Sequence, residues 1–435
     1  MNDRYRLIAN VGTLTLPVQF ERGLPEQPIK ILHDVWLHFE HDKIKAIGAA
    51  DEPFPEGVNS DEVFDAKGML ATPGLIDCHT HPVFVGTRQN EFVRRNRGES
   101  YQQIAAAGGG IVSSLRGVRS STVDELATVF RKHLNRFLEL GVTTLEAKSG
   151  YGLSFADELK MLRAIKAGSE GHPVEVTPTL LAAHVVPPEF KENPDRYVDI
   201  VCQEIIPAVA EEKLSDSVDV FMEHGAYSTE QTRRVFAAGK AYGLQLRLHA
   251  DQFTDSGGAE MAKEFSALTV DHMDRTPEAK FGLLAESGAT VVMLPGAVFF
   301  LGLDHYASGR KFIDAGCKVA LSTDFNPGTT PTKSLPLMMT IACIKMGFSP
   351  AEALWAVTMG GANGTARADR VGGLDVGYQA DVCLWDAEDI DFIPYNYGDM
   401  IPEVVFKKGV MVASRGCRID SDDDKDSLKQ WESSV

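Results

Sequence analysis

The sequence is poor in cysteine. Its 435 residues hold six, at Cys78, Cys202, Cys317, Cys343, Cys383 and Cys417, with no C-x-x-C pair and no dense spacing. That pattern offers no disulfide framework and predicts reduced, mostly buried thiols. Long apolar runs are missing too. The longest, Ala289 to Leu303, is broken by Pro295, Gly296 and Gly302 and falls short of the ~20 residues that span a membrane. Met1–Arg4 leads into strand-like alternation without an apolar leader block, so a soluble, cytoplasmic protein with no membrane partner is expected. Positive charge is in deficit as well: 43 Lys and Arg against 61 Asp and Glu, a formal net charge of −18. Such a surface argues against nucleic acid and anionic lipid, which need clustered cations. It is silent about a single anion-binding pocket. The 44% hydrophobic content excludes disorder for the bulk of the chain.

The length suits two or three domains at ~150 residues each, although an α/β barrel alone takes ~250. Val35, Leu37 and Phe39 alternate with Trp36, His38 and Glu40, and the pattern resumes at Ile44 after the polar turn His41-Asp42-Lys43. This is half-buried strand with period two. The far end looks alike, with Val382–Trp385, then Val404–Phe406 and Val410–Val412 around the turn Lys407-Lys408-Gly409. Two β-rich ends around a different middle predict one small β-sandwich-like domain built from residues 1–68 and 370–419, a larger domain over 69–369, and a polar tail, 420–435.

The middle alternates short apolar, often β-branched runs with helical stretches such as Val123–Leu140 and Ala156–Ala167. Eight runs are legible: Leu75–Cys78, Thr143–Ala147, Val174–Leu181, Val218–Met222, Leu244–Leu248, Ala267–Val270, Thr290–Leu294 and Val319–Ser322. Eight strand–helix units make an α/β fold, a (β/α)8 barrel of TIM type, whose active site lies at the C-terminal ends of the strands. Those ends carry Asp77 to His81, Lys148 to Tyr151, His184, Glu223, His249 to Gln252, Asp271-His272 and Thr323 to Asn326. Five of the twelve histidines therefore converge on one mouth. A single histidine in a barrel is ordinarily a satisfied core residue; five at strand ends are a site.

His79 and His81 are two apart at a strand end, so both imidazoles point to the same side. With His249 and Asp324 from other strand ends they make three imidazoles and a carboxylate, a set suited to one catalytic Zn²⁺ or Fe²⁺ that acidifies bound water toward a pKa of ~7.

The segments Pro73–His81, His79–Arg88, Ala107–Ile111, Lys148–Leu153, Ala183–Pro188, His249–Gln252 and Thr323–Thr329, with His272, resemble the amidohydrolase superfamily and, within it, the imidazolonepropionases. The likeness runs from about residue 65 to 385. It implies hydrolysis of the cyclic amide of 4-imidazolone-5-propanoate to N-formimidoyl-L-glutamate. It also implies one divalent metal per subunit on His79, His81, His249 and Asp324, with zinc and iron equally suited, and a homodimer. Arg88 is expected to fork onto the substrate carboxylate. The resemblance gives Tyr151 and His184 to the substrate's ring or carboxylate. Asn326, Gly328 and Thr329 would complete the cradle, Tyr101 would cover the pocket, and the glycine run Gly108–Gly110 is either a loop over the pocket or a tight turn. Asp324 would carry the proton, with His249 and Gln252 beside it and the metal, His272 or His184 polarising the carbonyl.

Two residues separate this reading from its neighbours. The fourth run ends in Glu223, where binuclear relatives place a bridging lysine, so one metal is expected and Lys148 is expected to pair with a carboxylate. Gln252 stands where deaminating relatives usually hold a proton-shuttling glutamate, which disfavours a heterocycle deaminase. The remaining alternative, a metal-free scaffold barrel, conflicts with the intact set of ligands.

Overall fold

The computed structural model describes residues 5–20, 23–99, 103–104 and 107–419; Tyr101 and the tail 420–435 lie outside the described residues. The N-terminal alternation forms three antiparallel strands, β1 (Leu7–Pro17), β2 (Ile29–Glu40) and β3 (Lys43–Ala49). Two short strands, β4 (Val63–Asp65) and β5 (Leu70–Pro73), lie parallel to β1. Because β5 pairs within this sheet, the chain crosses into the barrel at Gly74, later than the break after residue 68 that was expected. In Leu70–Asp77 the only local signal of the crossing is Pro73-Gly74, with strand-like residues on both sides of it.

Each of the eight predicted runs becomes a barrel strand: β6 (Leu75–Asp77), β7 (Val142–Lys148), β8 (Glu175–Ala183), β9 (Ser217–Met222), β10 (Gln245–Ala250), β11 (Thr269–His272), β12 (Thr290–Met293) and β13 (Lys318–Leu321). They pair in parallel in sequence order. The two end strands meet just past their ends. The Asp324 N–H donates to the His79 carbonyl (3.1 Å) and the His81 N–H to the Phe325 carbonyl (2.9 Å), which closes the barrel. Asp77 reinforces that seam, accepting from the Thr323 hydroxyl at 2.6 Å and from the Ser322 hydroxyl. Burial on both faces explains why the strands read as near-continuous apolar runs. The helix Val123–Glu139 shows the complementary pattern. Thr122 and Glu125 form its capping box, and Leu126, Phe130, Leu134, Phe137 and Leu138 make one buried stripe.

The C-terminal strands return to the first sheet. β14 (Val382–Trp385) runs antiparallel to β5, followed by β15 (Val404–Lys407), β16 (Val410–Ser414) and β17 (Cys417–Arg418). The result is one nine-stranded sheet made by both ends of the chain. It curls on itself: Phe39 of β2 and Phe406 of β15 stand 6.3 Å apart although three strands separate them in the sheet order. Leu14, Val35, Leu37, Phe64, Leu374, Val382 and Phe406 form a core separate from that of the barrel. Among the described residues no helix is long and apolar enough to cross a membrane.

Gly74 joins the two sheets at close quarters. A Cβ there would fall 2.3 Å from Thr143 Oγ1 and 2.5 Å from its Cγ2. Thr143 is buried and β-branched, so it has little room to move. Gly74→Ala is therefore expected to lower stability by about 1–3 kcal/mol, the usual cost of overpacking, read as a drop in the denaturant midpoint at unchanged slope.

Candidate active site

Period two at the end of β6 brings His79 and His81 to the same side of the wall, where the ends of β10 and β13 add His249 and Asp324. Two of the three histidines, His79 and His249, are oriented from behind. His79 Nδ1 lies 2.7 Å from Asp271 Oδ2, and His249 Nδ1 lies 3.0 Å from Asp219 Oδ1. Donating from Nδ1 fixes the tautomer and turns the Nε2 lone pairs toward the centre. There His249 Nε2 and His81 Nε2 are 3.5 Å apart, and Asp324 Oδ1 lies 3.4 Å from His81 Nε2 and 3.7 Å from His79 Nε2. Among the described residues His79 Nε2 is buried and finds no hydrogen-bond partner. Ligand atoms of His79, His81 and Asp324, and likewise of His79, His249 and His272, lie within 4.8 Å of one another. Burial presses His79 and His81 well below the usual imidazole range, so both are neutral. Neutral imidazoles with inward lone pairs beside a carboxylate fit a divalent metal ion.

Lys148 organises the layer beneath. Its ammonium donates to Asp219 Oδ2 (2.8 Å) and Glu146 Oε1 (2.9 Å) and stands 3.9 Å from Asp271 Oδ2, all of it fully buried. The expected pairing of Lys148 with a carboxylate is thus present. Burial opposes ionisation of Asp219, but His249 and Lys148 outweigh it and hold its pKa below the carboxylate range. Asp271, farther from the ammonium, is pushed up by burial to about 7. Sequence reasoning gave Asp219 no role and noted Asp271 only as a strand end. An aspartate inside the apolar run Val218–Met222 was the available signal.

His272 and Asp324 sit in left-handed backbone, at φ 76° and 53°. Such strain at non-glycine residues persists where the surroundings impose it and is concentrated at functional sites. Burial drags the His272 pKa down to about 3 and raises that of Asp324.

Above the cluster opens a pocket of about 540 Å³ including its mouth, lined by Arg88, Tyr151, His184, Gln252, Asn326 and Thr329 among others. Arg88 is only 7% exposed and donates from Nη2 to Glu91 Oε2 at 2.7 Å. The Gly328 backbone presses on its other side, where a Cβ would fall 2.1 Å from Nη1. The His184 ring lies 5.1 Å from His81 and nearly parallel to it, with Nδ1 donating to the Gly150 carbonyl (3.0 Å). Asn326 differs from its expected part. Its Oδ1 accepts the N–H groups of Gly328 (2.8 Å) and Thr329 (2.7 Å), so the amide shapes the turn and the Gly328 N–H is taken up internally. Glu223, at the end of β9, accepts the N–H groups of Phe253 (2.9 Å) and Thr254 (3.3 Å), holding the segment after Gln252. Tyr101 lies outside the described residues.

Residues 70–412 match the model of the amidohydrolase family. The imidazolonepropionase of Brevibacillus brevis is 43% identical over 91% of this chain and 93% of its own length. The chain belongs to the amidohydrolase family, among the imidazolonepropionases. That of Rubrobacter xylanophilus is likewise 43% identical, over 90% of this chain and 94% of its own. Among solved amidohydrolase-like folds, the zinc complex of atrazine chlorohydrolase TrzN from Arthrobacter aurescens aligns at a TM-score of 0.68 with 16% identity, covering 97% of this chain and 98% of that one. The 5-methylcytosine deaminase of Klebsiella pneumoniae with 5-fluorocytosine aligns at 0.68 with 17% identity over 95% and 98%. At such identities the likeness is one of fold.

In this amidohydrolase site the carboxylates behind the histidines are the adjustable part. Asp219→Asn keeps the shape but removes the charged acceptor from His249. Metal affinity, measured by competition with a chromophoric chelator, is expected to fall roughly 10- to 100-fold. The variant should also melt at a lower temperature than the parent, because the buried Lys148 ammonium loses the charge of its closest partner.

Proposed function

We propose that the protein hydrolyses the cyclic amide of 4-imidazolone-5-propanoate to N-formimidoyl-L-glutamate, in histidine degradation. One observation carries the reading: a single pocket sets a buried arginine on one wall against a His/Asp metal-ligand cluster on its floor. An anionic tail and a hydrolysable ring in one small molecule fit that pair. Gln252 supports the same reading over deamination, since an amide cannot shuttle a proton to departing ammonia.

His79, His81, His249 and Asp324 would hold one divalent ion, zinc or iron. When bound, it acidifies water and polarises the amide carbonyl. Arg88 receives the propanoate carboxylate through its planar fork, with Glu91 keeping the guanidinium in place. Tyr151 and His184 flank the imidazolone ring and exclude water from it. His272, neutral at working pH, presents its ring to the carbonyl oxygen as negative charge develops there. Asp324, whose carboxyl is raised by burial, takes a proton from the attacking water. It then delivers that proton to the ring nitrogen as the C–N bond breaks.

Freshly generated imidazolonepropionate, followed by loss of ring absorbance, tests the reading. The metal-loaded enzyme should turn it over, and absence of turnover would sink the assignment. Arg88→Ala should raise KM roughly 10- to 100-fold, the worth of a lost charge-assisted hydrogen bond of ~1.5–3 kcal/mol. Asp324→Asn should abolish kcat. Were kcat/KM unchanged in Arg88→Ala, Arg88 would not be the carboxylate anchor.

A further inference from the structure

The loop after β7 carries Tyr151 into the pocket and supplies the Gly150 carbonyl that fixes His184, yet its backbone is unfavourable. Leu153 sits at φ 51°, in left-handed backbone that non-glycine residues rarely adopt. Something must impose that shape. Glu158, in the first turn of the helix Phe155–Ser169, is wholly buried. It accepts three of the loop's N–H groups: Gly150 at 3.1 Å on Oε2, then Gly152 at 2.8 Å and Leu153 at 2.7 Å on Oε1. The loop's carbonyls are taken by a second side chain. Arg119 donates from Nε to the Gly152 carbonyl (2.9 Å) and from Nη2 to the Leu153 carbonyl (3.1 Å). Arg119 lies in the last turn of the helix Ile111–Ser120, which follows the glycine run and whose first residue, Ile111, lines the pocket.

We propose that Glu158 and Arg119 are positioning residues which grip the Gly150–Leu153 backbone through its donors and its acceptors and thereby set the substrate-facing wall of Tyr151 and His184. Neither side chain is among the pocket-lining residues. Their effect passes through the loop: Glu158 organises the donors, Arg119 the acceptors, and the two pocket rings follow the backbone between them. The clamp also joins the Tyr151 loop to the helix that begins at the glycine run, so two walls of the pocket are braced against each other. The inference rests on the pocket being the imidazolonepropionate site.

The test uses the metal-loaded, full-length enzyme with imidazolonepropionate. Glu158→Gln removes the charge and one acceptor oxygen. It should raise KM roughly 10- to 100-fold, as small displacements of binding groups do, while kcat falls less than about threefold and metal content stays at the parent value. Arg119→Met should act in the same direction, and Arg119→Lys, which keeps one donor, should recover part of the loss. The double variant should be no worse than the worse single one, because a loop already released cannot be released again. Amide exchange in the segment 149–161 should accelerate in both variants while the barrel strands stay protected. Unchanged KM and unchanged exchange in a folded variant would overturn the proposal, as would strictly additive effects. If Glu158→Gln does not fold, Arg119→Met, whose side chain is 29% exposed, carries the same test. If the variants lose loop protection but the parent never turns over the substrate, the substrate reading is overturned and the clamp on the loop stands.

Discussion

One buried ammonium underlies the centre. Lys148 lies fully buried in the interior of the barrel, within hydrogen-bonding distance of Glu146 and Asp219 and within ion-pair distance of Asp271. Burying a lone lysine costs several kcal/mol, and burying lone carboxylates costs no less, so each charge is tolerable only with the others in place. The geometry passes upward along three lines. Asp219 fixes His249, Asp271 fixes His79, and Glu146 accepts the Thr80 N–H at 3.1 Å between the two histidines that follow β6. Charge balance in the core and ligand orientation at the mouth are thus one problem with one solution. The opposite displacements of the two aspartates fit this picture, since carboxylates sharing one cation cannot both ionise freely.

Above that layer the pocket is assembled from loops, and three of its segments are each tied by a carboxylate that faces backbone rather than solvent. Glu158 ties the segment after β7 and Glu223 the segment after β10. Glu91 links Arg88 to the Gly110 N–H at 2.9 Å. Backbone N–H groups at strand ends would otherwise be left unsatisfied in a closed space. A strongly acidic composition therefore has a structural use here, quite apart from the surface. Arg88, the buried cation proposed to take the substrate carboxylate, has surroundings set by the loops and not by the net charge.

The barrel and most of the candidate site were legible in the sequence for a physical reason. Strands buried on both faces must be apolar, so a His, Asp or Lys at the end of such a run stands out, as His79, His81, His249 and Asp324 do. Residues acting one step behind were not legible. Asp219 sits mid-strand, where nothing local distinguishes a ligand's partner from an isolated buried charge. Glu158 and Arg119 lie on helices, where charged residues ordinarily mean a solvated face, and only the fold turns them toward the loop. Asn326 was legible as a site residue but not in its orientation, because a turn asparagine can serve its own backbone or a ligand with equal ease. The crossing at Gly74 was displaced because β5 and β6 are separated by a single residue.

That crossing bears on how the chain acquires its structure. β5 and β14 are hydrogen-bonded neighbours, but the whole barrel is synthesised between them. As the chain emerges from the ribosome, β1–β5 are complete long before their partners exist, and one edge of β5 waits for residues made near the end. The barrel's strands pair with sequence neighbours and close at β13 without β14–β17. Contacts of low sequence separation form first and those of high separation last. The seam that closes the barrel, Asp77 to Ser322, itself spans 245 residues, but it needs no strand after β13, so the mouth with its candidate metal ligands can be assembled while the N-terminal sheet still has an open edge.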